Sequence, residues 1–109
     1  MPEELDVLRG TLDMLVLKAL IWGARHGYAV TEWIRETTKG ELQVEDGALY
    51  GALHRLKSRG WIDAEWGLSD NNRKAKYYSL TADGRRELRA QAATWERYTR
   101  AVDRVLGTA

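Results

Sequence analysis

The sequence predicts a mainly α fold with a small β-hairpin and a long C-terminal helix, on three observations. Glycines at 10, 23, 27, 40, 47, 60, 67 and 84 divide the 109 residues into pieces of one element each, since the single proline lies at position 2. Apolar spacing is helical up to Gly60, then switches to a period of two over Ile62, Ala64 and Trp66. In the last piece, Leu88, Trp95 and Val102 repeat at intervals of seven. The hydrophobic share of 44% is that of a globular chain, and the absence of cysteine excludes disulfides, thiolate metal sites and cysteine nucleophiles. Leu12 to Trp22 is interrupted by Asp13 and Lys18, and the N-terminus lacks the basic-then-apolar order of a signal peptide. A soluble, cytoplasmic protein without a membrane partner is the expectation.

The first helix is expected over Thr11 to Trp22, with Thr11 as N-cap and Asp13 favoured by the helix dipole. Leu12, Leu15, Val16, Ala19 and Leu20 form one apolar side, while Met14, Leu17 and Ile21 make the other apolar too, so the helix needs two partners. Leu5 and Leu8 are in phase with an upstream extension over Glu3 to Arg9. A second, amphipathic helix is expected from about Tyr28 to Thr38, with Val30, Trp33, Ile34 and Thr37 on one side and Gly40 as its stop. Leu42 and Val44 alternate in a short extended connector.

The third helix, Asp46 to Arg59, begins acidic, ends with Arg55, Lys57 and Arg59, and stops at Gly60, the order the helix dipole prefers. Leu49, Leu53 and Leu56 form its inner stripe; at about 100° per residue, Gly47, Gly51, His54, Arg55 and Ser58 face outward, flanked by Tyr50 and Lys57. After Gly60, the alternating segment, the polar stretch Leu68 to Lys74 and the β-type residues Lys76 to Leu80 read as a hairpin with a long basic tip. Thr81-Ala82-Asp83-Gly84 then opens a helix reaching Leu106, about 25 residues and roughly 37 Å long. Its stripe of Leu88, Trp95 and Val102 is widened by Ala92, Tyr98, Thr99, Val105 and Leu106, a pattern that binds a partner helix.

Three short helices followed by a hairpin is the order of a winged helix-turn-helix, whose third helix enters the major groove while the hairpin reaches the backbone. Such a helix must be slim near the bases and carry donors. Gly47, Ala48, Gly51 and Ser58 are slim, and Tyr50, His54, Arg55 and Lys57 donate. A glycine inside a helix costs about 1 kcal/mol relative to alanine, which close approach to DNA would explain at Gly51. The formal charge of +1 argues against a polyanionic partner until it is resolved by region. Residues 1–20 and 61–66 each carry −2, residues 45–60 carry +1, and residues 67–80 carry +2 from Arg73, Lys74 and Lys76 against Asp70. Local contacts govern counterion release, so a nearly neutral chain can still present a phosphate-facing surface.

The segments Leu8-Arg-Gly-Thr-Leu-Asp-Met-Leu-Val-Leu, His26-Gly-Tyr, Asp46-Gly-Ala-Leu-Tyr-Gly-Ala-Leu-His-Arg-Leu and Arg73-Lys-Ala-Lys-Tyr-Tyr-Ser-Leu-Thr-Ala-Asp-Gly resemble the PadR family of bacterial transcriptional regulators, over nearly the whole chain. The resemblance implies a winged-helix DNA-binding domain, here residues 1–80, and a C-terminal dimerisation helix, here residues 81–109. It also implies repression through a palindromic operator. The short members, which this chain is most similar to, build the dimer from the N- and C-terminal helices of both protomers. On that basis Leu8, Leu12, Leu15, Leu88, Ala92, Trp95, Tyr98, Thr99, Val102 and Leu106 are assigned to dimerisation or a ligand pocket. Tyr28 of the His26-Gly-Tyr segment joins the DNA-binding set. The chain departs from the family pattern at Gly51, where proline is frequent, and at Glu45-Asp46, where serine is common. Gly51 is expected to loosen the start of the third helix, and the two acids to add negative charge near phosphates.

Each assignment has a plainer reading. Tyr50 either packs against the wing or hydrogen-bonds a phosphate. Arg55 and Lys57 are either the cationic end of a solvated helix or DNA contacts, and Arg73, Lys74 and Lys76 either an ordinary turn or a wing with a target. Neither of the two histidines has a ligand at i+3 or i+4, so no metal is expected; His26, before Gly27, reads as a cap. Trp95 either packs a dimer interface or, paired across a two-fold axis, lines a pocket for a flat aromatic or lipophilic effector. No nucleophile arrangement, phosphate-cradling loop or dinucleotide fingerprint occurs, so neither catalysis nor a cofactor is expected. The reading is a homodimeric regulator that binds double-stranded DNA; the alternative is a winged-helix protein-interaction module.

Overall fold

A computed structural model describes residues 5–6 and 10–108. In chain order the elements are β1 (Leu5–Asp6), α1 (Leu12–Ala19), β2 (Arg25–His26), α2 (Gly27–Thr37), β3 (Leu42–Gln43), α3 (Asp46–Ser58), β4 (Ile62–Leu68), β5 (Lys74–Leu80) and α4 (Ala82–Leu106). This is a winged helix with a long C-terminal helix, as the periodicity predicts, and α4 ends at the expected residue.

The upstream helical extension does not form at Leu5 and Asp6. These two residues pair in parallel with Leu42 and Gln43, which gives the extended connector a partner for its backbone groups. Leu8, assigned to the dimer interface, lies outside the described residues.

The helices are stopped by backbone geometry that the sequence partly announces. After α3, Gly60 takes a φ of +76°, its N–H bonds the Lys57 carbonyl, and the Trp61 N–H bonds the Leu56 carbonyl. After α2 two successive residues are left-handed, Lys39 with a φ of 53° and then Gly40, the expected stop, with a φ of 81°. Thr38 helps to fix this corner, because its hydroxyl donates to the Ile34 carbonyl and accepts from the Leu42 N–H.

One core joins all four helices to the sheet. Val16, Leu17 and Leu20 from the α1 region meet Val30 and Ile34 of α2, Leu49, Ala52, Leu53 and Leu56 of α3, Ile62 of β4, Tyr78 of β5 and Leu88 of α4. Each fully buried leucine contributes on the order of 1.5–3 kcal/mol of hydrophobic stabilisation. The packing corrects the two-sided reading of α1. Leu12 and Leu17, from its two apolar sides, are both buried inside the protomer, as is Leu88 of α4. Leu12 and Leu88 are thus covered by the protomer's own core, and Leu15 packs half-buried against it. The helix is short enough for α2, α3 and α4 to wrap it.

The sheet has three strands in the order β2-β5-β4, all antiparallel, where the sequence suggested a hairpin alone. Ile62 pairs with Leu80 and the register runs out to Leu68 with Lys74, so both ends of the presumed tip are strand residues. Burial follows the alternation only near the body: Ile62 is buried and Ala64 half-buried, but Trp66 is 63% exposed because the outer hairpin extends past the core.

At the other end, α4 is seated by its first two turns. The Thr81 hydroxyl accepts the Gly84 N–H as a cap and donates to the Gly60 carbonyl. A Cβ placed on Gly84 would lie 2.0 Å from the Trp61 carbonyl oxygen, so only glycine permits this approach of helix to chain. Leu88 is the last buried residue of α4, and the molecule extends over 57 × 36 × 22 Å.

Candidate nucleic-acid interface

The start of α2, Tyr50 of α3 and the β4–β5 wing converge on one open cleft. On α3 the inner stripe is buried as its spacing predicts, while Gly47, Ala48, Tyr50, His54, Arg55, Lys57 and Ser58 are exposed and Gly51 is half-exposed. The helix runs unbroken through Gly51, so the expected loosening does not interrupt it. Asp46 sits in the first turn, where the helix dipole favours a carboxylate. The cations Arg55 and Lys57 occupy the last turn.

The start of α2 is organised by His26. Its Nδ1 accepts the Ala29 N–H at 3.1 Å, the capping role the sequence suggests, while its ring meets Tyr77 edge-on at 5.7 Å. The next residue, Gly27, is buried beneath Tyr50: a Cβ there would lie 3.3 Å from the Tyr50 hydroxyl oxygen. Tyr50 thus leans across the α2 terminus with its hydroxyl beside the backbone, and its ring stays half in solvent. Tyr28 is exposed next to it. Together with Trp66, Lys74, Lys76 and Tyr78 these residues line an open cleft of about 650 Å³ between α2, α3 and the wing. Burial, reinforced by nearby Tyr50, raises the Tyr78 hydroxyl above the usual tyrosine pKa, so it stays a neutral donor.

The wing presents its cations on an aromatic platform. Lys74 and Lys76 place their Nζ atoms 5.2 and 5.8 Å from the Trp66 ring centroid. The register explains this, since Trp66 lies directly opposite Lys76 and diagonal to Lys74 on one face of the ribbon. Trp66 was not singled out from the sequence as a site residue; the two lysines spaced by one residue were the available signal, but only the register puts an indole beneath them. On the other face, the Tyr77 hydroxyl donates to the Leu68 carbonyl at 3.1 Å, and a Cβ on Gly67 would crowd the Tyr77 ring at 3.1 Å. The tip is closed by bonds from the Ser69 N–H to the Arg73 carbonyl and from the Asn72 N–H to the Ser69 carbonyl, with Arg73 exposed.

Arg55 is exposed on the outer face, as its spacing predicts, but it is paired. Its Nη2 donates to Asp13 Oδ1 of α1 at 2.7 Å, so the guanidinium turns toward α1 instead of projecting freely from the outer face. The hydrogen bond to Asp13 raises the Arg55 pKa above its usual value. Gly51 lies beneath that side chain: a Cβ there would meet Arg55 Nη1 at 3.5 Å, an ordinary contact.

Between them, α1 and α4 border a second open groove of about 620 Å³, lined among others by Asp13, Met14, Glu87, Gln91, Trp95 and Tyr98. Trp95 and Tyr98 stack within it, their centroids 6.1 Å apart. Tyr98, Val105 and Leu106 are exposed, Trp95 and Val102 partly so, and Ala92 and Thr99 are half-buried along the helix. No cluster of potential metal ligands occurs among the described residues. No helix among them is long and apolar enough to cross a membrane.

A family model described as the transcriptional regulator PadR-like family matches residues 16–90. The fold is similar to that of a PadR family transcriptional regulator from Eggerthella lenta, 34% identical, with 93% of this chain and 86% of that one covered at a TM-score of 0.78. It is also similar to a transcriptional regulator from Clostridium thermocellum, 27% identical, covering 88% and 93% at a TM-score of 0.81. A PadR family transcription regulator from Clostridium difficile matches at 26% identity, 89% and 99% coverage and a TM-score of 0.77. The match spans α2, α3 and the wing, the elements that carry the exposed donors, and the chain belongs to the PadR-like family of transcriptional regulators.

Proposed function

We propose that the protein is a sequence-specific DNA-binding repressor that acts as a homodimer on an inverted-repeat operator. The observation that carries this reading is the cleft that Tyr50 of α3, with its small, donor-bearing helix face, shares with a wing whose Lys74 and Lys76 sit on Trp66. In this reading α3 enters the major groove, where Tyr50, His54 and Lys57 reach base edges or phosphates past the slim Gly47 and Ala48. Arg73, Lys74 and Lys76 hold the backbone, and Tyr28 with the α2 terminus meets a neighbouring phosphate. Residues 1–80 bind DNA and residues 81–109 pair the protomers. Tyr98, Val102, Val105 and Leu106 support the second role, because a monomer leaves them in water. Two-fold pairing makes the two α3 helices read the same half-site in opposite directions, hence an inverted repeat. Such a partner places the protein in the cytoplasm, with the DNA.

The test is a gel shift against the promoter region of the protein's own gene at two salt concentrations. Salt-sensitive binding supports the reading; its absence favours a winged-helix module that binds protein. A second reading concerns control of the same activity. The stacked Trp95 and Tyr98 in the α1–α4 groove support a flat aromatic or lipophilic effector that releases the repressor. Fluorescence quenching by flat aromatics that disappears in Trp95→Phe supports it, and quenching that persists in that variant counts against it.

A further inference from the structure

Three facts about Arg55 bear on how an α3 helix bound to DNA would discriminate among sequences. The guanidinium donates to Asp13 Oδ1 at 2.7 Å, across 42 positions of sequence. The Arg55 side chain is 50% exposed, within reach of any anion that approaches α3, whereas the Asp13 side chain is only 18% exposed and thus held in place by its surroundings. The guanidinium lies along the helix over position 51, where a Cβ would make only an ordinary 3.5 Å contact with Arg55 Nη1.

An arginine cannot relieve this arrangement by losing its proton, so its charge is either neutralised by Asp13 or available to phosphate. Each phosphate neutralised by a cation adds about 0.9 to the slope of log affinity against log salt, with no dependence on base sequence. A cation already paired adds little of this term. Lys57 and the wing lysines have no such carboxylate partner among the described salt bridges, so the pairing singles out Arg55.

We propose that Asp13 is a specificity-determining residue: from α1, which does not itself face the DNA, it holds Arg55 off the phosphate backbone and lowers sequence-independent affinity. The inference rests on the DNA-binding reading above. Discrimination is then left to the base-facing residues of α3, because a smaller non-specific term raises the ratio of operator to competing sites. The two residues form an electrostatic restraint between the helix that contacts α4 and the helix that reads DNA.

The experiment is a double-mutant cycle on the full chain, with a mixed-sequence 30-base-pair duplex as probe, so that no operator need be known. Asp13→Asn should bind it about tenfold more tightly near 100 mM salt, with a salt slope steeper by about one per protomer. The gain should vanish in Asp13→Asn/Arg55→Gln, and Arg55→Gln alone should stay within about twofold of wild type, the coupling expected of a paired charge. Asp13→Ser serves as the second variant should thermal melting show Asp13→Asn to be unfolded. The proposal is overturned by an unchanged slope in both Asp13 variants, by tightening that persists without Arg55, or by a flatter slope in Arg55→Gln alone. Wild-type protein with no salt-dependent affinity for this duplex or for the promoter fragment removes the DNA-binding reading itself, and this inference with it.

Discussion

The outer faces of α3 and α4 are both uncovered in the protomer, yet they are opposites in chemistry. The face of α3 is made of Gly47, Ala48, His54, Lys57 and Ser58, small or hydrogen-bonding. That of α4 carries Tyr98, Val102, Val105 and Leu106, with mostly apolar surface left in water. Exposure alone does not distinguish the two faces; composition does. The first suits a hydrated polyanion, whose contacts are individually weak and salt-dependent; the second suits a surface of its own kind, which gains by excluding water.

The joint between the two regions should give the largest effect when broken. Gly84→Val places branched carbon against the Trp61 carbonyl and should cost about 3 kcal/mol or more of stability, read from denaturant unfolding. Only a backbone shift that opens the α4 seat would keep that loss small. Next in size, Trp95→Ala should remove about 2 kcal/mol of association energy, the scale of a central aromatic anchor. Sedimentation equilibrium measures it, and DNA binding should weaken in parallel as the dimer dissociates. On the other face, Lys74→Ala/Lys76→Ala should leave stability nearly unchanged and reduce the salt slope by about two per protomer. A fall in dimer affinity there would blur the division between the surfaces. Smallest, His26→Ala removes the cap on α2 and should cost about 1 kcal/mol, with DNA affinity falling only as far as the α2 terminus loses its order.

Local periodicity carried most of this architecture. Leu49, Leu53 and Leu56 lie at helical spacing and are buried, and Gly60 ends α3 in the left-handed conformation that glycine there suggests. α4 begins at its Thr81 cap and ends at Leu106, because a long helix with a sevenfold stripe is unambiguous. What was not legible depends on residues far apart or on segments too short to show a period. β1, β2 and β3 are two residues each, below any alternation that could be counted. The Asp13–Arg55 pair joins two helices whose relative placement no single helix encodes, and it ties down an arginine whose outward position alone was legible. Leu12 and Leu88 showed the same limit in reverse: an apolar stripe identifies a face to be covered without saying whether the cover is the same chain or another. Trp66 was legible as a strand residue, but its position beyond the core and beneath two lysines follows from the register of the whole hairpin.

The close seat of Gly84 also has a geometric consequence. In a helix roughly 37 Å long, a tilt of about 10° at one end displaces the other by about 6 Å, close to one helical pitch. If two copies of α4 join the protomers, the contact between Gly84 and the Trp61 carbonyl fixes the angle from which the separation of the two α3 helices is projected. A single missing side chain, far from any base, would then set the number of base pairs between half-sites. Small changes around this glycine would alter that angle without touching one residue of α3.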